Sequence, residues 1–479
     1  MRNIFRIWEK REAKRISEGA EVLKKWRTED TFHAHKRKRI SSFPEFRRRD
    51  EAISKVFLVF LVIAILSSSI TSIVETANAT EPLKGWSKTF GGKDDDTGRC
   101  VQQTLDGGYI IAGVTKSYGA GGYDFWLIKT DKYGNEQWNK TFGGTGDDCA
   151  NWVQQTSDGG YIIVGWTESY GAMGRDPWLI KVDENGNEEW NKTFKGTYAD
   201  EWANYVQQTS DGGFILAGII GSYTGIIDGW VIKTDAYGNE KWNKTFGGKA
   251  WDEVFSVQQT SDGGYILAGY TFSYRRFRQS WLIKTDENGN EVWNKAFGKF
   301  YAEGASSVQQ TSDGGYVLTG EVRSDNGDVL LIKTDANGYE QFRKKFGGIQ
   351  EDFGSCVKQT SDGYIIAGYT GSYGAGKKDA WLIKTDKYGN ERWNKTFGGV
   401  ADDYFYSVQQ TSDSGYIMVG STESQGVGGS DLWLVRIKGT EQPTASTPKP
   451  EEAISGFEFI GVILSIVILI LLRSKRGEN

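Results

Sequence analysis

Histidine is nearly absent. The chain has 2 in 479 residues, and both, His33 and His35, fall in its first 55. The remainder can hold no Ser-His-Asp relay, no imidazole-ligated zinc and no histidine general base. Cysteine is almost as scarce. The three thiols, Cys100, Cys149 and Cys356, are odd in number and follow no metal-binding spacing, so at most one disulfide can form. Cys100 and Cys356 each stand just before a Val of one repeated motif. They read as small buried residues, with a bridge between them as the alternative. Proline is limited to 6 residues, whereas Gly reaches 62 and Trp, Tyr and Phe number 18, 23 and 24. Many short strands joined by glycine turns suit that balance better than helices or disorder do.

Charge is uneven along the chain. Residues 1–55 carry 17 Lys/Arg against 9 Asp/Glu, so with the whole chain at -5 the rest holds -13. The tail from Thr440 has 4 basic and 5 acidic groups, which leaves about -12 on the middle. Nucleic acid is therefore not an expected partner of that middle, because phosphates call for a basic face.

Two apolar runs flank the middle. Val56–Leu66, "VFLVFLVIAIL", follows basic residues and precedes Ala77-Asn78-Ala79, as a signal-peptide core precedes its cleavage site. Extended to Val74, the same run is long enough for an anchor. Gly456–Leu472 is hydrophobic apart from Glu458 and is followed by Arg473-Ser474-Lys475-Arg476, which holds that end in the cytoplasm and puts the middle outside. The expected organisation is a basic leader (1–55), a signal peptide or anchor (56–79), a body (80–439), a Thr/Pro-rich stalk (440–455), a transmembrane or sorting segment (456–472) and a basic tail (473–479). This C-terminal end resembles archaeal PGF-type sorting signals, with Ser455-Gly456-Phe457 in place of Pro-Gly-Phe. A plain transmembrane anchor is the alternative.

The body is a repeat. VQQT begins at Val101, Val153, Val206, Val257, Val308 and Val408, and VKQT at Val357, so a unit of about 51 residues occurs seven times. Each unit contains four strand-like segments: VQQT, an apolar run such as "YIIVG" after a Ser-Asp-Gly-Gly turn, D-x-W-L-I-K-T, and W-N-K-T-F after a D-x-x-G-N-E turn. Four antiparallel strands per unit make a propeller blade. The fourth strand occurs at Trp86, Trp138, Trp190, Trp242, Trp293, Phe342 and Trp393, so its first copy precedes the first complete unit, while the last third strand, from Asp431, has no successor. "GWSKTF" is thus expected to complete the seventh blade, closing an all-β ring of seven blades through strand 85–90. An open solenoid, the alternative, needs distinct capping repeats at its ends.

The unit resembles kelch-type propeller repeats over about Trp86–Lys438, through the apolar run ending in Gly (Tyr109–Gly113), the Asp closing the third strand (Asp131) and the Trp of the fourth (Trp138). It also resembles quinoprotein-like repeats through Asp131, Gly134 and Trp138. Both resemblances imply a β-propeller. Copper-using kelch-like enzymes rely on histidines that this body lacks, so their activity does not carry over.

Loops joining second to third strands and blade to blade share one face of a propeller. There the sequence places acids, among them Asp95, Asp96, Asp147, Asp148, Asp402 and Asp403, together with Tyr118, Tyr170, Tyr223, Tyr274 and Tyr373 in Ser-Tyr loops. The acids can fix their own loops by accepting amide hydrogen bonds, bind a divalent cation such as calcium, or act as a hydrolytic carboxylate pair. A catalytic pair is expected to break the sevenfold pattern, and no acid is read here as doing so. The tyrosines suit recognition loops or sugar stacking, with packing between loops as the alternative. Blade four adds Arg275, Arg276 and Arg278, for an anionic ligand or for internal salt bridges. The D-x-x-G-N-E turns read as hairpins rather than calcium loops. Asn139, Asn191, Asn243 and Asn394 head N-K-T sequons open to glycosylation, which drift from one ancestral WNKTF explains equally.

Taken together, the sequence points to a membrane-anchored propeller at the cell surface that binds an envelope protein or glycan, with no cofactor beyond the calcium option. A carboxylate-based hydrolase or quinoprotein-like oxidoreductase, and a purely structural envelope protein, are the alternatives.

Overall fold

The structure is a computed structural model and describes residues 85–439 apart from 172–173, 196–199, 222–225, 299–300 and 324–326. The basic leader, both apolar runs, the stalk and the tail lie outside the described residues. Among the described residues no helix is long and apolar enough to cross a membrane.

The described chain forms seven four-stranded antiparallel sheets, as the repeat predicts. Blade one runs Asp96–Gln103, Tyr109–Thr115, Asp124–Thr130 and Glu136–Phe142, and five further blades repeat that order. The seventh takes Asp403–Gln410, Tyr416–Thr422 and Asp431–Ile437 from the end of the body and Gly85–Phe90 from its start. That last pair is in register from Gly85 opposite Ile437 to Phe90 opposite Leu432. Every first strand neighbours the first strands of the blades before and after it, and the ring closes from Asp403–Gln410 to Asp96–Gln103. The VQQT strands are therefore innermost.

The seven hydrophobic clusters lie between blades rather than within them. Ile110, Ala112 and Leu127 of blade one pack with Val153, Ile163 and Ile180 of blade two, and the cluster at the closure joins Ile417, Val419 and Leu434 to Val101, Ile111 and Ile128. Second and third strands are buried on both faces, which is why they read as unbroken apolar runs while the outer strands alternate. A repeated aromatic clamps each junction. The fourth-strand ring meets the aromatic near the start of the next blade's second strand: Trp138 lies 6.0 Å from Tyr161, Trp242 5.9 Å from Tyr265 and Trp393 6.2 Å from Tyr416. At the closure this partner of Tyr109 is Trp86, 5.8 Å away. "GWSKTF" thus supplies both the missing strand and the seventh clamp.

The turns explain the polar part of the repeat. In D-x-x-G-N-E, Asp131 accepts backbone N–H bonds from Tyr133 and Asn135 at 2.8 and 2.9 Å, and Gly134 has φ of +77°. These are hairpins, as expected. In the turns between first and second strands the acid receives a buried cation from the third strand. Lys129 reaches Asp106 at 2.8 Å, Lys233 reaches Asp211 at 3.0 Å and Lys333 reaches Asp313 at 3.0 Å, and in blade seven Arg436 does the same for Asp413.

Candidate functional site

The acids of the crossing loops divide into two sets. Asp96, Asp148, Asp252, Asp352 and Asp403 open the first strands and are fully buried. Asp148 accepts from the Gly144 amide at 2.9 Å and the Ser169 hydroxyl at 2.6 Å, and Asp96 accepts likewise from Gly92 and Ser117. Asp403 receives the Thr422 and Ser424 hydroxyls. The acid one residue earlier steadies the neighbouring blade's loop: Asp95 accepts from Ser430, Asp147 from Tyr123 and Asp402 from Lys378. Each of these candidates is thus engaged by loop amides or hydroxyls. Asp124, at the start of the third strand, faces Asp148 across Gly143, and burial together with that neighbouring carboxylate raises its pKa. Among the described residues no group of three or more His, Cys, Asp or Glu is gathered at metal-binding geometry.

The loop tyrosines are half exposed and tied down. Tyr118, Tyr170 and Tyr373 donate their hydroxyls to the carbonyls of Gly91, Gly143 and Gly347 at 2.9–3.0 Å. Their rings pack on Trp126, Trp178 and Trp381, and that of Tyr274 on Trp281. Tyr223 lies outside the described residues. Arg275 and Arg276 are exposed, whereas Arg278 pairs with Glu321 of blade five. The sequon asparagines serve the fold: Asn139, Asn191, Asn243 and Asn394 accept the Trp126, Trp178, Trp230 and Trp381 indole N–H at 3.1–3.4 Å. Each also donates its amide N–H to a Glu at 2.6 Å. All three cysteines are free, and burial pushes the Cys100 thiol up to about 12.

A second constellation lies inside the ring. Each first strand has a register shift at one position, two residues before the Val of VQQT. Such a bulge re-aims a side chain, and all seven bulged residues line one cavity of about 290 Å³ at the channel mouth. They differ around the ring: Arg99, Asn151, Asn204, Phe255, Ser306, Ser355 and Tyr406. The following position, also facing the cavity in blades two to six, varies as well, from Trp152 and Tyr205 to Ser256, Ser307 and Cys356. Trp152 and Tyr205 stack with centroids 4.0 Å apart. Asn151 and Asn204 donate their amides to the Ala203 and Val254 carbonyls at 2.9 and 3.1 Å, and Ser306 donates to Gly354. The Arg99 guanidinium lies 4.9 Å from the Tyr406 ring centroid.

Glu321 also lines this cavity. It is an acid outside the repeat, standing where the other blades have Val114, Trp166, Ile219, Tyr270, Tyr369 and Ser421. The expectation that no acid departs from the sevenfold pattern is corrected here. Arg278 and Arg323 both pair with it, so it is held as an ion-pair acceptor.

The glutamines seal the ring near the floor. The first Gln of each motif accepts the backbone N–H of the second Gln in the next blade, as Gln102 does from Gln155 and, across the closure, Gln409 from Gln103, at 2.6 Å. Lys358 replaces the seventh acceptor. Its ammonium lies 5.7 Å from the Trp152 ring centroid, so it spans the channel from blade six to blade two. Enclosure works against its charge, but Tyr205 of blade three and the Cys356 and Cys100 sulfurs offset this, and its pKa moves up.

The added arginines of blade four were the asymmetry legible from the loop sequences. The channel ring was missed there, although the two variable positions before an otherwise constant VQQT were its signal.

No protein-family model and no curated protein matches this chain. Solved structures do. Sqt1 from Chaetomium thermophilum aligns at 11% identity and TM-score 0.42 over 74% of this chain and 99% of that one. The Pan2 WD40 domain of Neurospora crassa aligns at 10% and 0.42 over 73% and 91%, and a puromycin hydrolase mutant complexed with PGG at 10% and 0.47 over 78% and 58%. Similarity at this level carries no argument about activity. The seven-bladed architecture rests on the strand pairing itself.

Proposed function

We propose that this propeller is a binding module of the cell surface that receives an envelope glycan or protein at the channel mouth and the loop face around it. One observation carries the reading: the repeat holds its pattern where blades pack and loses it at the seven bulged positions that line the cavity. Packing alone asks for the same residue in every blade, so seven side chains ranging from Arg to Phe to Ser point to one asymmetric occupant. Mixed Asn, Ser, Tyr, Trp and Arg lining favours a polar ligand with hydroxyl groups, hence a glycan over a protein. Surface placement rests on the two apolar runs and the basic C-terminal end.

The enzyme reading is weaker, because Glu321, the acid that departs from the repeat, is clamped by two arginines. Glycan-array and envelope pull-down assays on the full-length protein, with and without Ca²⁺, test the proposal. Retention of a glycan that is lost on replacing Asn151 and Asn204 together supports it. Retention of nothing from either source, with the fold intact by circular dichroism, leaves the purely structural reading.

A further inference from the structure

The body is acidic, but the channel is not. Glu321 is neutralised by Arg278 and Arg323, whereas Arg99 and Lys358 have no carboxylate at ion-pair distance among the described residues. Lys358 is also unlike its counterparts. Blades one to five and blade seven place a Gln there, and each Gln bonds the following blade. The Lys gives up that bond, leaving the Gln410 amide without the glutamine acceptor its counterparts have. A partly buried cation with no acid beside it, retained at the cost of an inter-blade hydrogen bond, calls for a counter-charge.

We propose that the channel mouth binds a carboxylated sugar, a uronate unit, with its carboxylate drawn to Arg99 in the cavity wall and toward Lys358, which does not line the cavity but holds its ammonium 5.7 Å from the ring of the lining Trp152. The inference rests on the glycan reading above and names the ligand class. Asn151 and Asn204 use their amide N–H groups on the next blade and keep their amide oxygens without a partner among the described residues. A ligand must therefore offer at least two hydrogen-bond donors besides its negative charge, which a sugar's several hydroxyls do and a phosphate dianion, with its single hydroxyl, does not. The cavity, at about 290 Å³, sits at the small end of ligand sites, which run from about 300 to 1,000 Å³. One sugar unit, not a long chain, is the scale it admits.

Isothermal titration of the full-length protein with glucuronate, glucose and inorganic phosphate tests this. Two variants borrow residues that other blades already carry: Lys358→Gln restores the glutamine, and Arg99→Asn copies blades two and three. Glucuronate is expected to bind about tenfold or more tightly than glucose, and Lys358→Gln to abolish that preference. The melting temperature of Lys358→Gln is expected to hold or rise, so lost binding cannot be lost folding. Unchanged glucuronate affinity in both variants overturns the inference, as does phosphate binding as tightly as glucuronate. Glucose bound equally well overturns it while leaving the glycan reading in place. If no monosaccharide binds, the uronate inference fails, and the glycan array decides the broader reading separately.

Discussion

Two glycines with nearly the same backbone do different work. Gly107 has φ of +81° and Gly134 of +77°, so neither welcomes a side chain. A Cβ on Gly107 meets nothing within 4 Å, whereas one on Gly134 would lie 2.5 Å from the Trp86 ring. Gly107→Ala is therefore expected to cost about 1 kcal/mol, the left-handed penalty alone. Gly134→Ala adds displacement of the clamp, about 1–3 kcal/mol more. Urea unfolding of the two variants measures the gap, and equal costs would show that the Trp ring is not held against the turn. The glycine turn was legible in D-x-x-G-N-E, but its second duty was not, because the ring over it comes from the preceding blade.

Within a blade, the link between the first turn and the third strand is the repeated cation and acid. For Asp413, the Thr411 hydroxyl, against some burial, and then the Arg436 guanidinium hold the carboxyl below its usual range. For Asp211, burial pushes up, but Thr209, Lys233 and Lys241 outweigh it and the pKa falls. A depressed acid contributes stability that is complete above its unfolded pKa, near 3.8, and is lost as pH falls through the folded value. The propeller is thus expected to hold its melting temperature down to about pH 4 and to lose it below. Asp211→Asn should flatten that decline by its own share and lower stability at pH 7. A decline of the same depth in the variant would place the acid sensitivity elsewhere. The Lys of W-L-I-K-T and the Asp of Ser-Asp-Gly were both visible as repeated residues. Their pairing was not, since some 20 residues separate them and only the antiparallel fold brings them together.

For the whole molecule, the decisive contact is the closure. Gly85–Phe90 pairs six residues with Asp431–Ile437, and Trp86 and Phe90 pack against the cluster between blades seven and one. Deleting residues 85–92 removes the outer strand and one clamp. Losing the partly buried Trp alone costs about 3 kcal/mol, so the melting temperature is expected to fall by roughly 4 °C or more, with new proteolysis at the exposed third strand. An unchanged melt would mean the ring does not depend on its clasp.

The number of blades, the strands per blade and the identity of the closing strand all followed from counting copies in the chain. Repetition writes each blade's hydrogen-bonding and burial pattern locally, so seven third strands and a fourth strand out of place leave one arrangement. The sequence also marked the rim acids and loop tyrosines. It also offered, among its readings, that the acids fix their loops and the tyrosines pack between them, and the amide, carbonyl and tryptophan partners in the structure agree with that reading. Only the ring decided which residues share the channel. A bulge turns Arg99 and its six counterparts inward, and Lys358 meets Trp152 although some 200 residues lie between them. Such contacts arise from closure around an axis, and no periodicity along the chain encodes which side chains meet across it.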